Sequence, residues 1–290
     1  MKVNSCLNIM RRMPPNDIRN NLAGLVNLVP DCLDELLQRV DQPLQEAKDS
    51  KTGRQYILCE YNRDADSYRS PWSNEYDPPL EDAYLLSDEL RKLEEDANEL
   101  FDAYRELYFK GGTSSVYLWD LEENEGFAGA FLIKKDTDGS SWESIHIVEV
   151  DLLEGEKKAS YKLNTTIMLS LKPNNSAAGD TILCGSVSSA SERTFPYTSL
   201  QSHLPNIGKM IEKMETELRN NIDGVYIQKT HQVLSGMRRS VGMAPVQGAA
   251  FTMQLNKAIG FQGGKRDQGI YDELAKISIN KGKKSSTDES

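Results

Sequence analysis

In the first fifty positions apolar residues recur at spacings of three and four between prolines. Leu7, Met10 and Met13 precede Pro14-Pro15, Ile18, Leu22, Leu25 and Val26 precede Pro30, and Leu33, Leu36, Leu37 and Val40 precede Pro43. Each set falls on one helix face, and each proline marks a stop. Helices this short are marginal alone in water, so the three are expected to pack together as a bundle. A longer amphipathic helix is expected from Leu90, Leu93, Ala97, Leu100, Phe101, Tyr104, Leu107 and Tyr108, ending at Gly111-Gly112.

The period then changes to two. Residues 115–121, 128–134, 144–150, 161–171 and 181–188 are rich in Val, Ile, Thr and aromatics with polar breaks between them, which predicts a five-stranded antiparallel meander. The alternation is cleanest where Tyr161, Leu163, Thr165, Ile167, Leu169 and Leu171 face away from Lys162, Asn164 and Ser170. After Pro205 comes the longest helical pattern, through Ile207, Ile211, Met214, Leu218, Ile222, Val225 and Tyr226 toward Val233 and Met237. A helix of about 30 residues would reach roughly 45 Å, more than five strands at about 4.8 Å require. That excess, and the cost of leaving outer strands unpaired, predicts a sheet continued by a second polypeptide.

One more amphipathic segment carries Phe251, Leu255, Ala258 and Ile259 on one side and Gln254, Asn256 and Lys257 on the other. It follows Gly242 and Pro245 and has little core to pack against, so its apolar stripe is available to a partner groove. The expected fold class is therefore α+β. It comprises a helical stalk at 1–60, a charged aromatic plug and helix at 61–113, a β-meander at 114–190, a long covering helix at 205–240, a C-terminal amphipathic helix at 241–262 and a disordered tail at 263–290.

The plug is the run from Cys59 to Pro79, which has neither helical nor strand period. Tyr61, Tyr68, Trp72 and Tyr76 each offer about 150–250 Å² of buriable surface, and Arg63 and Arg69 can each grip a carboxylate such as Asp64 or Asp66. Such a run is either a structural staple or a recognition surface.

Charge divides the chain. The net value of −10 argues against general nucleic-acid binding, yet residues 205–290 carry 13 Lys+Arg against 9 Asp+Glu and so face an acidic partner. No apolar stretch approaches the roughly 20 residues that cross a bilayer, and no secretory signal opens the chain, which points to the cytoplasm. Cys6, Cys32, Cys59 and Cys184 show no Cys-x-x-Cys pair, so neither a metal site nor a disulfide framework is expected. The histidines, His146 in a strand, His203 in a loop and His231 on the long helix, adjoin no nucleophile motif. Gly185-Ser186-Val187-Ser188 is not a nucleophile elbow, and Gly264-Lys265-Arg266 is not a phosphate loop. No catalytic residue and no cofactor are expected.

The segments Tyr61-Asn62-Arg63-Asp64, Asp66-Ser67 and Arg69-Ser70-Pro71-Trp72-Ser73-Asn74 resemble the signature of the β subunit of F-actin capping protein, with Glu60 where that family usually has Asp. The resemblance extends through Met10-Arg11-Arg12-Met13-Pro14-Pro15, Val40-Asp41-Gln42-Pro43-Leu44, Leu90-Arg91-Lys92-Leu93-Glu94, Ser114–Leu121 and Trp142–His146, over roughly residues 5 to 240. It implies an obligate heterodimer with a capping protein α subunit, the two sheets joined beneath two long antiparallel helices. It further implies capping of the fast-growing barbed end of actin filaments in the cytoskeleton. The actin-binding positions implied are Arg219 and Arg238 for charge and Phe251, Leu255, Ala258 and Ile259 for the apolar anchor. Arg12 and Tyr76 fall where the family meets regulatory peptides with a capping-protein-interaction motif, and anionic phosphoinositides are further implied partners. Ser188-Ser189-Ala190 departs from the family's usual Thr-Arg-Gln. The competing class is a structural or adaptor subunit that caps an actin-related filament within a larger complex.

Overall fold

Prolines set the rhythm of the N-terminal segment. Helices α1 (Lys2–Met10), α2 (Ile18–Leu28) and α3 (Leu33–Arg39) are separated by 3-10 turns at Pro15–Asp17 and Pro30–Cys32. A proline opening each turn forgoes only an amide that the first turn leaves unused. The helices bury Cys6, Leu7, Met10, Leu25, Cys32 and Leu36 against one another. The computed structural model describes residues 2–228 except 82, 84, 122–125, 138, 154–156 and 173–181, together with 232, 233 and 236.

Two stretches expected to lack strands contain them. Within the expected stalk, β1 (Gln45–Lys48) and β2 (Gln55–Leu58) pair as an antiparallel hairpin. Its tip is fixed by Asp49, whose Oδ1 accepts the N–H groups of Lys51 and Thr52 at 3.0 and 2.6 Å. Its Oδ2 accepts the Ser73 hydroxyl at 2.5 Å, tying the hairpin to the plug. The plug itself holds β3 (Arg63–Asp64), β4 (Ser67–Arg69) and β5 (Tyr76–Asp77) as a three-stranded sheet. Strands of two to four residues are too short to display a period, which is why the sequence pattern does not reveal them.

One of the plug's two arginines finds a more distant carboxylate than expected. Arg69 reaches past Asp64 and Asp66 to α4 (Asp88–Tyr108), where its two terminal nitrogens donate to Glu94 Oε1 and Oε2, each at 2.7 Å. Arg63 remains local, at 3.2 Å from Glu60 and 3.8 Å from Asp66. Tyr61 stacks on Trp119 with ring centroids 5.3 Å apart, and Trp72 lies beneath the Arg54 guanidinium. Helix α4 begins at Ser87, whose hydroxyl accepts the Leu90 N–H, with Asp88 and Glu89 in its positive first turn. It stops ahead of Gly111, whose φ of 81° a side chain would disfavour.

The five expected strands are present and longer than their periodic cores: β6 (Thr113–Asp120), β7 (Phe127–Thr137), β8 (Ser140–Leu152), β9 (Lys158–Leu171) and β10 (Leu183–Pro196). They lie in chain order, each antiparallel to the next. On one face Val116, Leu118, Phe131, Ile133, Trp142, Val148, Tyr161, Leu163 and Ile167 form the main core beneath two helices. On the other, Tyr117, Ala130 and Leu132 pack on Leu44 and Ile57.

The second covering helix is α5 (His203–Asn221), which passes into a π-helical segment, Ile222–Ile227. Gln228 Nε2 donates to Asp223 Oδ2 at 3.2 Å, a five-residue spacing that the wider turn brings into line. Helix α5 does not cross the sheet as its length predicted. His203 packs on Phe127 and Tyr161, Glu215 touches His146, and Arg219 lies over Trp142. The helix therefore follows β8 from its end toward its start, about 24 Å of helix against about 26 Å of strand between Val150 and Trp142. Excess helix length over sheet width is thus no measure of a missing partner. Of the expected 205–240 helix, the described part beyond Gln228 is residues 232, 233 and 236, where Val233 is 55% exposed. The expected helix at 241–262 and tail at 263–290 lie outside the described residues.

Candidate functional site

The two margins of the sheet are built differently. At β6, Asn98 Oδ1 accepts the Val116 N–H at 2.8 Å while its Nδ2 donates to the Val116 carbonyl at 2.9 Å. Two residues on, the Leu118 N–H donates to Glu94 Oε2 at 2.7 Å. Both side chains are buried, and Glu94 is held by Arg69 and by Arg91. The Ser115 hydroxyl also accepts the Ile57 N–H at 2.9 Å, so the hairpin leans on the same strand. Glu94 and Asn98 were missed from sequence although a signal exists. They interrupt the apolar face of α4 at Leu90, Leu93, Ala97 and Phe101 with two polar residues four apart.

At β10 only the first half is covered. The Ser186 N–H points outward and donates to the Arg11 carbonyl at 2.8 Å. Gly185 makes that approach possible, since a Cβ there would lie 2.5 Å from the same oxygen. Asp41 joins this junction. Burial raises its pKa, against the opposing charge of Arg11 and a hydrogen bond from Ser186. Alternation from Ser186 makes Ser188, Ala190, Glu192 and Thr194 the next outward-facing backbone positions. Among the described residues their N–H groups meet no backbone partner, and all four residues are exposed. The triplet Ser188-Ser189-Ala190 lies on this open margin.

The remaining expected site residues fall as follows. Arg12 is exposed in the turn after α1, and Tyr76 is half-buried in β5 opposite Arg69. Burial raises the Tyr76 hydroxyl's pKa, against the nearby charge of Arg69. His203 is not in a loop: it opens α5, is 2% exposed and shares a 2.7 Å hydrogen bond with the Tyr161 hydroxyl. Burial lowers its pKa to about 4. His231 lies outside the described residues, as do Arg238, Phe251, Leu255, Ala258 and Ile259.

Arg219, which the resemblance implies supplies charge toward actin, has a side chain only 9% exposed, with its Nε donating to Glu215 Oε2 at 3.2 Å. The guanidinium lies 4.5 Å from the Phe109 ring centre and 5.0 Å from that of Trp142. Glu215 also approaches His146 Nε2 to 3.2 Å, and the other nitrogen of that ring meets the Thr165 hydroxyl at 2.9 Å. Burial alone would raise the Glu215 pKa, but His146 and the charge of Arg219 outweigh it and bring the group to about 2. A planar, weakly hydrated guanidinium suits this aromatic slot, which a sequence pattern of exposed and buried positions does not resolve. Among the described residues no group of three or more His, Cys, Asp or Glu is placed to hold a metal ion, and no helix is long and apolar enough to cross a membrane.

A five-stranded antiparallel meander roofed on one face by two helices, capped at Val116 and Leu118 of one margin and exposed along the second half of the other, defines an α+β protein whose sheet a further strand could extend. The chain belongs to the F-actin capping protein β-subunit family, whose model matches residues 3–234. It is 46% identical over 272 residues to the F-actin-capping protein subunit beta of Dictyostelium discoideum, covering 90% of this chain and 98% of that one. The same-named protein of Drosophila melanogaster is 47% identical over 265 residues, covering 89% of this chain and 95% of its own. That of Caenorhabditis elegans is 49% identical over 242 residues, covering 82% and 88% respectively. Among solved structures, a homodimeric actin capping protein alpha subunit from Plasmodium berghei superimposes with a TM-score of 0.51 over 85% of this chain and 98% of that one. At 15% identity that likeness concerns the fold.

Proposed function

We propose that this chain is the β subunit of an α/β heterodimer that caps the barbed end of actin filaments in the cytoplasm, blocking subunit addition and loss without catalysis. The observation that carries the proposal is the open second half of β10 in a chain of this family. A sister subunit pairing there would satisfy the outward groups at Ser188, Ala190, Glu192 and Thr194 and extend one antiparallel sheet across both chains.

Attachment to the filament is assigned to the C-terminal segment. Arg238 supplies charge toward an acidic surface, and Phe251, Leu255, Ala258 and Ile259 form the apolar anchor. Burying Phe, Leu and Ile contributes about 1.5–3 kcal/mol each before the costs of ordering and association. Arg219 serves the same surface from inside, by bracing α5 through Glu215 rather than by presenting charge. Arg12 and Tyr76 are proposed contacts for regulatory peptides, and anionic phosphoinositides would compete for the basic C-terminal region.

The test is seeded actin assembly with the co-purified dimer. Wild type stops growth from barbed ends, and Phe251→Asp with Leu255→Asp caps weakly. Capping as tight as wild type by that variant would remove the anchor from the mechanism.

A further inference from the structure

We infer that Asn98, supported by Glu94, acts as a substitute sixth strand at β6 and so confines growth of the sheet to β10. This rests on the reading above that a sister subunit joins at β10. In an antiparallel ladder a hydrogen-bonded residue gives its N–H and its C=O to one residue opposite. The Asn98 carboxamide does the same for Val116, accepting at 2.8 Å and donating at 2.9 Å. The next outward amide, Leu118, meets Glu94 Oε2 at 2.7 Å, so the cap repeats at the two-residue interval of a strand. The cap is rigid. Asn98 Nδ2 also donates to the Glu94 carbonyl at 2.9 Å, and the Glu94 carboxylate is fixed by both terminal nitrogens of Arg69.

A subunit with two open margins would add neighbours at both, and a contact that does not close on itself grows without limit. Sealing β6 leaves one productive margin and therefore a closed dimer. In this respect Asn98 is a specificity-determining residue of assembly. It selects which edge pairs.

The experiment uses the full-length heterodimer, with hydrogen exchange read at single amides and mass read by light scattering over a concentration series. In wild type, Val116 and Leu118 exchange as slowly as amides inside β7 to β9, and the mass stays at one of each subunit. In Asn98→Ala, Val116 exchange is expected to rise about tenfold and species heavier than the dimer to appear with concentration. Asn98→Asp keeps the acceptor but loses the donor, and is expected to fall between the two. A purely structural role would lower the melting temperature without moving the mass distribution, and that outcome overturns the inference. So does fast exchange at Val116 and Leu118 in wild type, a measurement that stands even where the variant does not fold. Rapid exchange at Ser188, Ala190 and Glu192 in the wild-type dimer would instead refute the β10 junction, separating the two failures.

Discussion

Arg219 donates its Nε to Glu215 across 3.2 Å, with both side chains withdrawn from solvent. Family resemblance marks Arg219 as a filament-facing cation, but within this chain its charge is answered by a carboxylate one helical turn earlier. The pair lies at the end of α5 that adjoins Trp142 and Phe109, so it sets how the helix leaves the sheet.

Removing that cation leaves a buried carboxylate, 1% exposed, facing only His146 and the Ser144 hydroxyl. Arg219→Ala is expected to destabilise the fold by about 3–5 kcal/mol, the range for one lost partner of a buried ion pair. Denaturant titration of the dimer measures it. A loss under about 1 kcal/mol, typical of an exposed charge, would contradict the buried placement.

Stability should vary with pH through His203. Its folded pKa of about 4 lies below the ordinary 6.5, because burial disfavours the charged ring. Between these values the unfolded chain binds the proton and the folded chain does not. Stability is therefore full above pH 6.5 and declines as pH falls toward 4, by up to about 3 kcal/mol. His203→Gln, which keeps a polar partner for Tyr161, should flatten this slope in melting curves taken across the window.

The β10 margin can be blocked without harming the chain's own ladder. Ala190 directs its N–H away from β9, so Ala190→Pro removes a donor that no internal partner uses. Co-expression should give far less heterodimer while the variant chain keeps wild-type circular dichroism. Normal yield of heterodimer would place the junction elsewhere.

Charge and apolar anchoring should separate kinetically. Arg238→Ala is expected to slow association with barbed ends and reduce its salt dependence, since exposed charges act mainly on encounter. Phe251→Asp should speed dissociation by about tenfold or more and leave the salt slope unchanged. Single-filament regrowth times measure both rates.

The fork between Arg69 and Glu94 anchors the plug to α4. Arg69→Lys retains the charge but offers no planar pair of donors, and a loss of about 1.5–3 kcal/mol is expected. Because Glu94 also holds Leu118, exchange at that amide should quicken in the same variant.

Sequence alone determined the elements whose pattern is local and long. The α4 stripe from Leu90 to Tyr104, the alternation from Tyr161 to Leu171 and the proline-bounded helices all appear where periodicity placed them, because side-chain direction repeats every 3.6 or 2 residues. The family signature likewise lay on the surface of the sequence, from Met10 to His146. Strands β1 to β5 were illegible because segments of two to four residues complete no cycle. What only the tertiary structure decided is which distant groups meet. Arg69 with Glu94, Asn98 with Val116 and Arg11 with Ser186 are joined across many residues of intervening chain. Such pairings have no periodic trace, since they depend on how whole elements are laid against each other. For the same reason the direction of α5 along β8, the inward turn of Arg219 and the difference between a sealed and an open margin could be read only once the layers were assembled.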